Sequence, residues 1–197
     1  MGHFQENLPE PYNQIELMPF NSHGFYSNAP QIESLIRTFN IETIIEVGCW
    51  LGTSTRHMAS LLPPSGKVYA VDHWKGSEEH QPGQTYWIPQ LPQLYEQFCS
   101  NVIHAGLTEK IKPIRMDSLE AAKQLSHVKP DLIYIDASHD AISVYKDLQT
   151  WYPFVQGHGI LCGDDWGQSG VQTAVVKFAE ERGLTIEASG FFWRLIE

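Results

Sequence analysis

The chain is short of basic side chains: 13 Lys and Arg stand against 23 Asp and Glu, a formal charge of −10 over 197 residues. That field repels polyanions, which excludes nucleic acid and anionic membrane surfaces as dominant partners and leaves a cationic small molecule open. Long apolar runs are missing too, and nothing approaches the ~20 residues that span a bilayer. The opening "MGHFQENLPEPYNQ" has no basic region followed by an apolar one, so a cytoplasmic chain with no membrane partner is expected. Cysteine is scarce. Cys49, Cys99 and Cys162 are widely spaced and form no paired-cysteine metal motif, which suits a reduced compartment. With no internal repeat, low-complexity tract or boundary signal, residues 1–197 read as one domain able to bury a sizeable core.

What is present is alternation. Residues 1–28 carry Pro, Asn, Gly and aromatics without a period and read as an arm packed on the surface; its Leu17, Met18 and Phe20 are candidates for a homodimer contact. In "APQIESLIRTF", Ile32, Leu35, Ile36 and Phe39 fall on one helical face. Short β-branched runs follow at 43–48, 67–72, 111–116, 131–136 and 159–164, separated by helical patterns near 53–62, 92–105, 118–126, 140–152 and 170–182. Strand–helix alternation predicts an α/β fold, a mostly parallel sheet covered on both faces. The last runs, 184–188 and 191–196, are separated only by Ser189-Gly190 and should pair as an antiparallel hairpin, giving seven strands. Residues 73–91 are rich in Gly, Pro and aromatics and read either as a packed lid carrying Trp74, Tyr86 and Trp87 or as a variable insertion.

Ligands of open α/β sheets gather at the carboxyl ends of the strands. Here those ends carry a glycine turn and acids. "EVGCWLGTST" places Gly48 and Gly52 where the backbone must turn tightly before a helix, although such glycines alone are ordinary turn residues. Asp72, at the end of the second strand, suits the two hydroxyls of a ribose. In "RMDS", Asp117 is equally suited to an adenine amino group or to capping the next helix, as is Ser118 to the cap. A dinucleotide needs G-x-G-x-x-G, and this turn puts Cys49 and Trp50 where the second glycine belongs. Glu46 just before the turn disfavours phosphate and suits a cationic amino-acid tail. Charge therefore favours S-adenosylmethionine (SAM) over NAD.

The stretches "IIEVGCWLGTSTRHMA", "VYAVDHWKGS" and "DLIYIDASHDAISVYKDLQTWYPFVQGHGILCGDDW", with the terminal hairpin, resemble the class I SAM-dependent methyltransferases. More narrowly they resemble the metal-assisted small-molecule O-methyltransferases, of the catechol type and of the macrolide- and cephalosporin-tailoring group. The resemblance covers about residues 30–197. It implies a Rossmann-like seven-stranded fold, a small-molecule methyl acceptor, and SAM near Glu46, Gly48, Gly52, Asp72, Asp117, Ser118 and Asp136, with Trp74 stacked on the adenine.

Asp136 and Asp164 end consecutive parallel strands, with Asp165 adjacent, so three carboxylates are expected in one cleft. They would repel one another, and a divalent cation such as Mg²⁺ would relieve that conflict. The separation of Asp136 and Asp164 matches the ligand spacing of the catechol-type enzymes. Alternatively the acids cap turns, although Asp140 is the better cap for "AISVYKDL". By the same resemblance His139 is the catalytic base, taking the proton of the attacking hydroxyl. Trp166, Tyr86 and Trp87 either wall a substrate pocket or pack in the core. Two competing readings stand beside this one: a metal-independent SAM methyltransferase with structural acids, and a non-catalytic SAM- or nucleotide-binding regulatory protein.

Overall fold

The computed structural model describes residues 7–77, 80–85 and 87–197. Seven strands form one sheet: β1 (Thr43–Val47), β2 (Lys67–Asp72), β3 (Ile111–Arg115), β4 (Leu132–Ile135), β5 (Ile160–Gly163), β6 (Thr185–Ser189) and β7 (Phe192–Ile196). Their order is β3-β2-β1-β4-β5-β7-β6, with the first five parallel and β7 antiparallel to both β5 and β6. The helices are α1 (Ala29–Phe39), α2 (Thr53–Leu61), α3 (Leu94–His104), α4 (Ser118–Gln124), α5 (Ala141–Trp151) and α6 (Ser169–Arg182). The expected elements are all present, and the late hairpin folds back so that β7, not β6, pairs with the parallel core.

The period of two along each strand sorts the core into two layers. Ile44, Leu132 and Tyr134 join the cluster under α1, α2 and α3; Ile45, Ile133 and Ile135 join the one under α4, α5 and α6. Fully burying each such aliphatic side chain is worth about 1.5–3 kcal/mol. An apolar strand with helices on both sides therefore has one stable place, inside the sheet. The arm is not wholly superficial. Tyr12 is fully buried and its hydroxyl donates to the Ile111 carbonyl at 2.9 Å, while Leu17 and Phe20 are exposed. Asn21 is tied down by its N–H to Asn101 Oδ1 at 2.9 Å. Among the described residues no helix is long and apolar enough to cross a membrane.

Topology then positions the site. The chain leaves β1 towards β2 and β3, then returns to lay β4 and β5 on the other side, so the crevice opens above the carboxyl ends of β1 and β4. Backbone bonds continue past the last paired residues and hold the tips in one row. Gly48 N–H donates to Val71 O at 2.8 Å, Asp136 N–H to Val47 O at 2.8 Å, and Asp164 N–H to Ile135 O at 3.0 Å.

Candidate active site

A cavity of about 1080 Å³ lies over this row. Its floor includes Gly48, Asp72, Asp117, Ser118, Asp136, His139, Asp164 and Asp165. Its walls come from the arm (His23 to Ser27), from Trp50, and from His80 and Trp87 of the 73–91 segment. Tyr86 lies outside the described residues.

The glycine turn forms the centre of the floor. Gly48 has φ 87°, and a Cβ there would come within 1.9 Å of the Asp136 carbonyl oxygen. Only glycine lets β1 turn this close to the end of β4. Asp72 secures the turn: its Oδ2 accepts from the N–H groups of Cys49 at 2.9 Å and Trp50 at 3.1 Å, and its Oδ1 from Trp74 N–H at 2.6 Å. Trp50 is held at φ 47°, unusual for a bulky residue and a mark of a site the surroundings enforce. His80 stacks on it with ring centroids 4.4 Å apart.

At one end, Asp117 caps α4 by accepting from Leu119 N–H at 3.0 Å. The Ser118 hydroxyl donates to Asp147 Oδ1 at 2.5 Å and accepts from Trp151 Nε1 at 2.8 Å. Burial pushes the Asp147 carboxyl up to about 6.

At the other end are the acids. Burial, then the charges of Asp164 and Asp165, push Asp136 well above the usual carboxylate range. Burial raises Asp164 as well, although the Asp165 N–H and the Tyr134 hydroxyl, donating to its two oxygens at 2.6 and 3.0 Å, work against the rise. Tyr134 in turn accepts from Asn28 Nδ2 at 3.1 Å, completing a buried chain from the start of α1 to the acids. Asp165 has φ 60°, and its Oδ2 lies 2.8 Å from His139 Nε2. Gly170, at the start of α6, supports this loop from behind: a Cβ there would meet the His139 carbonyl oxygen at 2.1 Å. Asp140 accepts from the N–H groups of Ile142 and Ser143 and caps α5, which leaves Asp136 facing the cavity.

A model of the methyltransferase domain matches residues 45–166, from β1 through the acid cluster. The chain belongs to the methyltransferase-domain family. Within it, the seven-stranded sheet with its reversed last strand makes this a class I SAM-dependent methyltransferase. Among solved structures, an O-methyltransferase from Bacillus cereus in complex with SAH aligns with a TM-score of 0.64 at 16% identity, covering 90% of this chain and 84% of that one. The O-methyltransferase TomG from Streptomyces achromogenes, involved in tomaymycin synthesis and solved with SAM, aligns with a TM-score of 0.64 at 16% identity over 88% and 81% of the two chains. The calicheamicin methyltransferase CalS11 gives 0.64 and 15% over 86% and 78%. At such identities the likeness is one of fold.

This methyltransferase brings together Gly48, Asp72, Asp117, Ser118, Asp136, His139, Asp164 and Asp165 on one cavity. Three other expected residues stand behind it. Glu46 is fully buried and accepts from the hydroxyls of Ser54 and Thr55, so its charge serves the start of α2; burial pushes it up to about 7. Gly52 lies against Phe98, where a Cβ would come within 2.8 Å of the ring. Trp74 is buried against Tyr95 and Phe98 with its indole N–H on the Trp50 carbonyl; stacking on an adenine is not available to it there. The cavity-facing Trp of the turn is Trp50. Trp166 packs on the core beneath α5 and α6. Residues not singled out from the sequence also matter: Tyr134 and Asn28 carry no pattern beyond their place in a strand and at a helix start, and Phe191 sits in a two-residue turn.

The donor set has the chemistry of a hard-cation site, three carboxylates of which two, Asp136 and Asp164, are pushed up by burial first and by neighbouring acids second. Its present geometry is not a cage. Asp164 is turned to Tyr134 and the Asp165 N–H, Asp165 to His139, and no three His, Cys, Asp or Glu side chains converge as a metal set among the described residues.

Proposed function

We propose that this methyltransferase transfers the methyl group of SAM to a hydroxyl of a small molecule carrying neighbouring hydroxyls, with His139 as the base. The observation that supports it most is the His139–Asp165 pair at 2.8 Å on the same cavity floor as the glycine turn. Methyl transfer needs an oxygen losing its proton as it attacks the sulfonium methyl. An imidazole held by a carboxylate is suited to accept that proton. The floor holds donor and acceptor in one enclosure, so positioning supplies the rest of the rate. Asp72 and the Ser118 region are the side on which the ribose and adenine fit, and the acids the side on which the acceptor fits.

A divalent cation, Mg²⁺ by preference, belongs to the same proposal, held by Asp136, Asp164 and Asp165. When bound it would lower the pKa of the acceptor hydroxyl. One observation favours the metal-independent alternative: Asp164 and Asp165 already have protein partners. We place the protein in the cytoplasm and assign the exposed Leu17 and Phe20 to self-association, which sedimentation tests.

The deciding experiment is a methyl-transfer screen over catechols and other diols with Mg²⁺, and again after EDTA. Turnover that EDTA abolishes and Mg²⁺ restores supports the metal. EDTA-insensitive turnover selects the alternative. SAM binding without turnover across the screen, with His139→Ala indistinguishable from wild type, selects the regulatory reading.

A further inference from the structure

Three large apolar side chains stay exposed at the mouth of the cavity: Phe25 at 85%, Phe191 at 54% and Trp87 at 45% of their full accessibility. A single exposed aromatic needs no explanation, but three from separate parts of the chain meeting on one cavity mark a surface that a ligand covers. Phe25 belongs to the arm, Trp87 to the 73–91 segment and Phe191 to the β6–β7 turn. Phe191 overlies Gly167, where a Cβ would sit 3.1 Å from its ring, and its carbonyl accepts from Trp166 N–H at 2.8 Å, just beyond the acids. On the arm, the Phe25 ring meets His23 edge-on, and His23 lies beside Trp50 of the glycine turn. Phe191 therefore flanks the acid end, where the acceptor fits, and Phe25 and Trp87 line the same cavity.

Charge narrows the occupant further. Asp72, Asp117, Asp136, Asp147, Asp164 and Asp165 face the cavity, and Lys146 is the only Lys or Arg among its described lining residues. The sulfonium of the donor would offset one of the three carboxylate charges at the acid end and a bound divalent cation the other two, which leaves no surplus positive charge there to hold an anionic acceptor. Phosphates and thioester-linked nucleotides are recognised by clusters of Arg and Lys donors, and here Lys146 stands alone among the described lining residues. The volume of about 1080 Å³ slightly exceeds the roughly 300–1,000 Å³ that ligand pockets occupy, room for a second molecule beside the donor.

We propose that the acceptor is an uncharged or cationic aromatic hydroxyl compound seated against Phe25, Trp87 and Phe191, and that carboxylated, phosphorylated and coenzyme A-linked acceptors are rejected. This rests on the methyltransferase reading and deepens it. The chemistry is the same transfer: the acceptor oxygen forms a bond to the methyl carbon, the sulfonium–carbon bond breaks with its electron pair staying on sulfur, and the hydroxyl proton leaves to His139.

The test uses the whole protein and four matched probes with one dihydroxyphenyl ring, bearing an amide, an amine, a carboxylate or a coenzyme A thioester. SAM binding by calorimetry comes first; its absence sinks the methyltransferase reading itself. With SAM bound, kcat/KM is compared across the four, and binding to the SAH complex gives the same ranking if turnover is slow. The amide and amine should lead the carboxylate by about tenfold and the thioester by more, a gap of the size a few nearby like charges produce. Phe25→Ser and Phe191→Ser should each raise KM for the amide about three- to tenfold, as loss of aromatic contact area does, with kcat and the SAM Kd unchanged. A leading carboxylate or thioester, KM values unmoved in both variants, or no probe binding at all would overturn the inference while leaving SAM binding intact.

Discussion

His139 Nε2 lies 2.8 Å from Asp165 Oδ2, and Asp165 reaches it from a left-handed backbone at φ 60°. The contact orients an imidazole that is about a third exposed, at 31%, so substrate can still approach it. If this ring takes the acceptor proton, His139→Ala lowers kcat by roughly 10²- to 10⁴-fold, the range a positioned base supplies, without changing SAM affinity. Asp165→Asn should lower kcat by less, since the imidazole remains. Steady-state kinetics with calorimetry for SAM separates these effects. Full turnover in His139→Ala would remove the base from the mechanism.

Tyr134 links the arm to the acids. Its hydroxyl accepts from Asn28 and donates to Asp164, and all three groups are buried. Tyr134→Phe leaves an amide donor and a carboxylate oxygen short of partners at once. Such a loss costs about 1–3 kcal/mol, or a Tm lower by about 2–4 °C for each kcal/mol in a chain of this size. Turnover should fall with it, because Asp164 loses the bond that holds its orientation, while SAM affinity holds. An unchanged Tm would show that the chain of bonds is broken in solution.

Gly48 allows no side chain. A Cβ would lie 1.9 Å from the Asp136 carbonyl oxygen and 2.7 Å from Ala137 Cα, both backbone atoms that cannot rotate away. Gly48→Ala should therefore abolish SAM binding or yield protein that does not fold. Gly106→Ala is the control: it meets nothing within 4 Å and carries only the cost of φ 67°, about 1 kcal/mol for a left-handed non-glycine residue. Calorimetry and circular dichroism on the pair distinguish crowding from lost backbone freedom. Equal behaviour of the two would refute the steric argument.

Legibility followed the range of the interaction. Strand and helix periods are local, so the seven strands and their hairpin could be read within a residue or two of where they lie. The tips that bear acids follow from parallel pairing, which brings Asp136 beside Asp164 through the Ile135–Gly163 register. Side-chain direction was not legible. Glu46 and Trp74 sit next to cavity residues in sequence, yet Glu46 turns inward to two hydroxyls of α2 and Trp74 packs on α3. Neighbouring residues on a strand point to opposite faces, and a loop Trp buries wherever apolar partners wait. Contacts distant in sequence, such as His139 with Gly170 or Asn28 with Tyr134, leave no trace in a single chain read end to end.

Glu46 makes stability depend on pH in an unusual direction. Burial pushes its carboxyl from 4.5 to about 7 in the folded protein, against the Ser54 and Thr55 hydrogen bonds that work to lower it. The unfolded chain releases that proton near the ordinary value, so between the two the folded state binds more protons. Stability from this group is then fully present below about 4.5 and is lost as the pH rises towards about 7, where it levels off. The size is roughly 3 kcal/mol at most, from about 1.4 kcal/mol for each pKa unit. Glu46→Gln cannot ionise and lacks this slope. Subtracting its Tm from that of the wild type at each pH cancels the other carboxylates, and the difference should shrink from pH 5 to 7 and stay flat to pH 8. A difference that grows with pH would mean that the ionised carboxylate is the form the Ser54 and Thr55 hydroxyls hold at every pH.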